Sequence, residues 1–350
     1  MDFVWLLDEN FGALAAADTF DSLVWRERCW GAGDFSLRLP PDMAGTALRA
    51  AWASWGGSPY TGAAERFERD GKAAVLKGRF MEKGLAMRAA LSDKAYSGRA
   101  EGVMRRIVFD NCIGPADRRV PLLELGEERG LGGGTAVSPF GAGVAETLDA
   151  IALEQGLSWR LRCAHAEKKI LFEVFEGPDR TAGQSANPRL VLSEERGNVL
   201  EARRKLERGG RNFVFVAGEG GEAVEIDLRA GPEPRRELFV DARNVPRRTG
   251  DGYMEPGEYR EILRARGLQA AAAYGGAEAA EIDVAPDAAA GIGLGDVATW
   301  LCPRTGASMD KRVTEIERVA ETGFSGTRIT LGRRPPGLAD MVRMERGAGK

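Results

Sequence analysis

The sequence predicts a β-rich α+β fold in which two strand-dominated stretches flank a module of mixed helices and strands. Three observations carry this. Apolar residues alternate with polar ones in both outer stretches, as Phe35, Leu37 and Leu39 do with Ser36 and Arg38, and as Val224, Ile226 and Leu228 do with Glu225 and Asp227. Two segments in the middle switch to a helical period. Helices and strands do not repeat as regular βαβ units, so a parallel doubly wound sheet is not expected. With 350 residues, 43% of them hydrophobic, the chain has material for two or three ordered cores.

The first element is a strand, turn, strand unit in FDSLVWRERCWGAGDFSLRLP, residues 20–40, with its turn around Gly31, Gly33 and Asp34. Pro40 stops the second run because it offers no N–H to a ladder. Residues 41–70 have no clear period, and Lys72–Arg79 return as a strand. In SGRAEGVMRRIVFDN, Ser97 is placed to cap a helix whose Val103, Met104, Ile107 and Val108 form an apolar stripe. A second helix, VAETLDAIALEQG, puts Val144, Leu148, Ile151 and Ala152 on one side and stops near Gly156. The intervening RGLGGGTAVSPFGAG reads as a flexible, turn-rich connection, and SWRLRC and KKILFEVF as paired strands. Later strands are expected at NFVFVAG, VEIDL, ELFV, AEIDV, DVATW, KRVTEIERV and TRITL, interrupted by one helix between Gly257 and Tyr274. That pattern fits a small barrel or folded sheet carrying a helix. The expected division is 1–95 for an N-terminal β-rich domain, 96–182 for an α+β module, 183–334 for a second β-rich, barrel-like domain with a helix, and 335–350 for a basic C-terminal extension.

Chemistry is scarce. A single histidine, His165, and four scattered cysteines, Cys29, Cys112, Cys163 and Cys302, leave no material for a zinc finger or a His/Cys deaminase centre. Reduced, buried thiols are expected. Lys plus Arg total 49 against 52 Asp plus Glu, a net charge of -3 that argues against a general nucleic-acid binder. The amino-terminal MDFVWLLDENF lacks the basic flank of a secretory signal, and no run reaches the roughly 20 apolar residues of a membrane span, so no direct membrane anchor is expected. Gly132–Gly134 lack a following GK[ST], and Gly291, Gly293 and Gly295 precede a strand rather than a helix, so neither reads as a nucleotide loop. Asp110 and Asp179 have no neighbouring histidine or paired carboxylate, and His165 lies in a hairpin loop without a local nucleophile. No catalytic residue, cofactor or metal is therefore expected, and the protein is read as a non-enzyme. Trp25, Trp30 and Phe35, with Trp159, Phe172 and Phe175, are assigned to core or subunit packing rather than to base stacking. Near the end, Arg333, Arg334, Arg343, Arg346 and Lys350 outweigh Asp340 and Glu345, which would suit an acidic partner.

From FDSLVWRERCWGAGDFSLRLP onward, the ordered series KGRF, SGRAEGVMRRIV, VAETLDAIALEQGLSWRLR, ILFEVFEGPDRT, NFVFVAGEGG, LFVDAR, GLGDVAT, KRVTEIERV and ITLG resembles the Gp37-like tail proteins of siphovirus ReqiPepy6 over most of residues 3–332. The resemblance implies a phage tail hub-like architecture with small barrel-like modules. In it Trp25, Gly33, Asp34, Phe35 and Pro40 mark the opening, Gly78 and Arg79 the next match, Asp179, Arg180 and Thr181 the DRT signature, and Asp241 and Arg243 the DAR segment. No catalytic duty is implied for them; turns, charge pairing and packing are. The implied role is a structural subunit of a phage or phage-like baseplate hub, a homotrimeric ring between tail tube and distal tip. Its partners would be distal tail or tail tube proteins and tip or fibre proteins, in a virion tail assembled in the bacterial host cytoplasm. Two alternatives stand beside it: a hub-associated cell-wall hydrolase built on a close carboxylate pair, and a carbohydrate-binding module, favoured if Trp30 or Trp159 lines an exposed concave pocket.

Overall fold

The computed structural model describes residues 3–208, 210–249 and 252–335. The chain opens with β1 (Val4–Leu7), β2 (Ala13–Ala17), β3 (Ser22–Arg28) and β4 (Asp34–Leu39), then α1 (Ala44–Arg49), β5 (Trp52–Trp55), β6 (Thr61–Asp70), β7 (Ala73–Phe80) and the one-turn α2 (Lys83–Ala86). The middle holds β8 (Tyr96–Arg99), α3 (Ala100–Val108), β9 (Leu123–Leu125), β10 (Gly134–Val137), α4 (Val144–Gln155), β11 (Ser158–Ala164) and β12 (Lys169–Phe175). The last part contains β13 (Val191–Leu192), β14 (Val199–Glu207), β15 (Phe213–Ala217), β16 (Ala223–Asp227), β17 (Glu237–Asp241), β18 (Arg248–Thr249) and β19 (Gly252–Tyr253). There follow α5 (Pro256–Tyr274), β20 (Ala277–Val284), α6 (Pro286–Ala289), β21 (Val297–Cys302), β22 (Ala307–Glu321) and β23 (Phe324–Gly332).

Thirteen strands form one sheet in the order β14-β20-β23-β22-β3-β4-β7-β6-β5-β1-β2, with β21 and β13 branching from β22. Strands from both outer stretches of the chain therefore share a sheet. Their seam is the antiparallel pair β3 and β22, in register from Arg28 opposite Glu315 to Ser22 opposite Glu321. The 15 residues of β22 make this possible, because the strand pairs with β21 over its first part and with β3 and β23 over the rest. Leu23, Trp25, Phe35, Leu37, Leu39, Leu76 and Phe80 fill one core against this sheet, as the alternation in the sequence requires.

The expected barrel-like modules are not closed. Among the described residues no pairing joins β14 to β2, so the large sheet is open at both ends. NFVFVAG, VEIDL and ELFV do not join it either: they make a separate three-stranded sheet, β16-β15-β17. The physical reason is α5, whose Gly267 lets the helix lie so close to this small sheet that an added Cβ would come within 2.6 Å of Ile226 and 2.7 Å of Val216. Val214, Val216, Ile226 and Leu238 are buried against Tyr259, Ile262 and Leu263 of this helix, so the small sheet completes its own core without the large one.

In the middle module, Ser97 does not cap a helix. It pairs with Ala136 in a two-stranded ladder of β8 and β10, and α3 starts three residues later, with Arg99 at its cap position and no side-chain bond there. The stretch read as a flexible connection supplies β10, and Gly133 is tied by its carbonyl to the Ala100 N–H at 2.9 Å and by its N–H to Gln155 at 2.7 Å. Both helices bury the stripes read from the sequence, against Trp159, Leu161 and Phe172 of the β11-β12-β9 sheet. No helix among the described residues is long and apolar enough to cross a membrane. Of the basic extension, residues 336–350 lie outside the described residues.

Candidate functional site

The motif residues fall in three places. Seven of them meet where β3, β4 and β7 run side by side. Trp25 is fully buried, donates its indole N–H to Ser58 Oγ at 2.9 Å, and packs on Phe80 and Phe35 at ring separations of 4.7 and 5.6 Å. Phe35 lies opposite Gly78, where a Cβ would stand 1.7 Å from the Ala63 carbonyl oxygen and 3.0 Å from the Phe35 ring. At Gly33 a Cβ would collide with the Arg26 carbonyl at 2.2 Å and with Phe80 at 2.6 Å. Only glycine lets these backbones and rings approach so closely. Pro40 ends β4 in extended backbone and accepts the Met43 N–H at 3.1 Å. Arg79 holds Glu65 with two 3.2 Å bonds.

Asp34 opens a row of opposite charges that crosses the seam. Its two oxygens take Arg26 at 2.6 Å and Arg28 at 2.8 Å. Arg28 donates onward to Glu315 at 3.0 Å, and Arg26 to Glu317 at 2.7 Å. Arg334 then bridges Glu315 at 3.0 Å and Glu281 at 3.1 Å, and Lys205 closes the row on Glu281 at 2.9 Å. The row thus links β4, β3, β22, β20 and β14. Burial works against the Arg26 charge, but the Glu317 hydrogen bond and the Asp34, Glu317 and Glu315 carboxylates outweigh it and raise its pKa. Each carboxylate of the row faces a guanidinium or an ammonium, an arrangement suited to fixing strand register rather than to passing protons.

Behind this face, Glu27 is buried and paired with Arg318 at 2.9 Å. Two further acids, buried Glu82 and half-buried Asp149, tie the sheet to the middle module. Glu82 accepts the Leu161 N–H at 2.8 Å, while Asp149 accepts the Gly31 N–H at 3.1 Å and the Trp159 indole N–H at 2.9 Å. Burial pushes Glu82 up to about 7 and Asp149 up to about 6. Sequence reasoning missed Glu82, Asp149 and the Glu315, Glu281 row. One signal was available: Arg-Glu-Arg in β3 and Glu-Ile-Glu in β22 present complementary charges at period two.

The other motif residues lie elsewhere. Arg180 meets Asp296 at 2.7 Å and the Pro188 carbonyl at 2.9 Å, and Asp179 accepts the Thr181 N–H at 2.9 Å, which holds the Asp179 carboxyl below its usual range. Asp241 and Arg243 pair at 2.9 Å at the end of β17. His165 does gain neighbours that the sequence did not bring near it. Its Nε2 is 3.1 Å from Ser54 Oγ, but its Nδ1 faces the Cys163 thiol at 3.3 Å rather than a carboxylate that would orient it as a base. Trp159 is only 2% exposed, and Trp30 packs against the core of the middle module with its N–H on the Leu157 carbonyl at 3.1 Å, so neither lines an exposed concave pocket.

The family model described as Siphovirus ReqiPepy6 Gp37-like protein matches residues 3–333. The chain belongs to this family of phage tail proteins. The Gp37-like fold in turn resembles three solved structures. The 43 kDa tail protein of prophage MuSo2 from Shewanella oneidensis has a TM-score of 0.58 at 11% identity, covering 95% of this chain and 98% of that one. A tail protein from Neisseria meningitidis MC58 gives 0.55 at 13%, covering 95% and 96%, and prophage tail protein gp18 from Listeria monocytogenes EGD-e gives 0.54 at 11%, covering 99% and 100%. At these identities the likeness is one of fold. No curated protein matches the chain. In this Gp37-like chain the ionic seam and the Trp25 cluster stand back to back on one sheet, so the family's opening motif and its late KRVTEIERV segment serve a single junction.

Proposed function

We propose that the chain is a structural subunit of a phage or phage-like tail baseplate hub, a C3 homotrimer forming a ring between the tail tube and the distal tip. The observation that carries this reading is the open sheet: β14 at one end and β2 at the other each lack a second neighbour among the described residues. Two different free edges on one rigid sheet suit a head-to-tail contact that closes by rotation, and closure would remove the edges of every copy. On this reading the barrel that one chain leaves open is completed between copies. The family membership and the tail proteins of like fold support the setting, a virion tail or phage-like particle assembled in the bacterial host cytoplasm, with tail tube and tip or fibre proteins as partners. Native mass spectrometry of the purified protein is expected to give a trimer, and electron microscopy of the intact particle is expected to place it as a ring at the distal end. A monomer at all concentrations that is also missing from tail substructures would refute the reading.

A further inference from the structure

A groove of about 300 Å³ runs between β17 and α5 and has no role in the seam. Its floor is apolar, from Leu238, Val240, Ala270 and Ala273. β17 is an edge strand, paired with β15 on one side and with nothing on the other among the described residues. Two donors line the same groove. Gln269 is buried, with 4% of its surface exposed, yet its Nε2 has no hydrogen-bond partner, an arrangement that is unfavourable unless an acceptor reaches it. Arg266 is solvent-accessible and pairs with no carboxylate among the described residues. Asp241, the one acid in the lining, is taken by Arg243 at 2.9 Å. Beside the groove Phe239 is 52% exposed and stacks on Phe215 with ring centres 5.9 Å apart, a flat apolar shelf next to the free edge.

We propose that this groove is a strand-addition site for an extended, acidic segment of a partner protein, which pairs with the free edge of β17 and places a carboxylate side chain on Arg266 and Gln269. Main-chain pairing supplies affinity that depends little on sequence, and the two donors supply the choice. The complementarity is specific in sign: both unmatched groups donate, and one is cationic, so an acceptor-rich anion satisfies both while a lysine satisfies neither. The alternating pattern of such a segment would turn the apolar side chains that flank the carboxylate to the opposite face, beside the Phe239 and Phe215 shelf.

The test uses the full-length protein and three capped peptides, Ac-TVEVT-NH2 and its Gln and Lys counterparts at the central position, with amide hydrogen exchange of residues 237–241 and isothermal titration as readouts. The Glu peptide is expected to protect β17 and to bind about tenfold more tightly than the Gln peptide, with the Lys peptide weaker still. Arg266→Glu, a change at an accessible position, is expected to reverse the Glu and Lys preference, and Gln269→Leu to weaken the Glu peptide severalfold. No protection of β17, or equal binding of all three peptides, would overturn the proposal. So would protection that appears without peptide as protein concentration rises, which would assign the groove to a second copy. Protection of the parent chain that is lost on truncation after residue 335 would assign it to the chain's own terminus, with the same consequence.

Discussion

Gly78 and Glu82 lie four residues apart and control the sheet in different ways. At Gly78 the constraint is contact, since an added methyl would be driven into the Ala63 carbonyl and the Phe35 ring. Gly78→Ala is expected to cost about 3 kcal/mol, at the upper end of overpacking penalties. Gly45→Ala, in α1 with nothing within 4 Å of the new methyl, is expected to be neutral or to stabilise by about 0.5–1 kcal/mol. Urea unfolding of the two variants checks the contrast, and equal midpoints would discount the contact. At Glu82 the constraint is charge. Its folded pKa of about 7 lies above the ordinary 4.5, and that of Asp149, about 6, above 3.8. Both raise the folded state's affinity for protons, so their stabilising contribution is complete below the ordinary values and is lost as pH rises through about 6 and then about 7. For Glu82 the loss is of order 3 kcal/mol. Glu82→Gln should flatten this slope and unfold at higher urea than the parent at pH 8; an unchanged pH profile would remove Glu82 from the account.

At the scale of elements, the seam between β3 and β22 rests on alternate side chains of two kinds, buried Leu23 and Trp25 on one face and Arg26 and Arg28 on the other. Glu315 is the hub of the charged side, touching Arg28 and Arg334. Its removal takes a carboxylate from Arg28 and Arg334, which keep Asp34 and Glu281 respectively, so Glu315→Gln is expected to cost about 1–3 kcal/mol, less in high salt. A double-mutant cycle with Arg28→Met should return a coupling of about 1–2 kcal/mol. Additive effects would mean that the pair does not hold the seam. The elements themselves were largely legible. Alternation at Phe35, Leu37 and Leu39 gave β4 and its buried face, and the stripe at Val144, Leu148 and Ile151 gave α4. Ser97 misled because a capping residue and a strand residue look alike until β10 is known to lie opposite. Of the site, the glycine and aromatic cluster was legible as a turn, whereas Glu82 and Asp149 were not, because an acid that bridges two modules is marked by its surroundings and not by its neighbours in sequence.

At the scale of the whole molecule, pairing between distant strands was the hidden quantity. Periodicity finds strands but is silent on which edge meets which, and here β22 crosses to the first part of the chain instead of closing a barrel with β15 to β17. A chain cut after residue 182 would keep β1 to β12 but lose the partner of β3, whose edge would stand open beside the apolar core. Such a fragment is expected to aggregate on size-exclusion chromatography and to be recovered in soluble form when co-produced with residues 183–350. A soluble, cooperatively unfolding monomer of the fragment alone would contradict this.

The same seam sets a clock on synthesis. Arg28 and Glu315 are 287 residues apart, so at the ~5–20 residues per second of translation, β3 waits roughly 15–60 s on the ribosome before its partner strand is made. During that interval the nascent chain carries a half-built sheet, and only a polypeptide read through to the end of β22 can finish it. Prematurely terminated chains would lack the finished surface, so the fold itself offers a check on full-length synthesis before any larger structure is built from it.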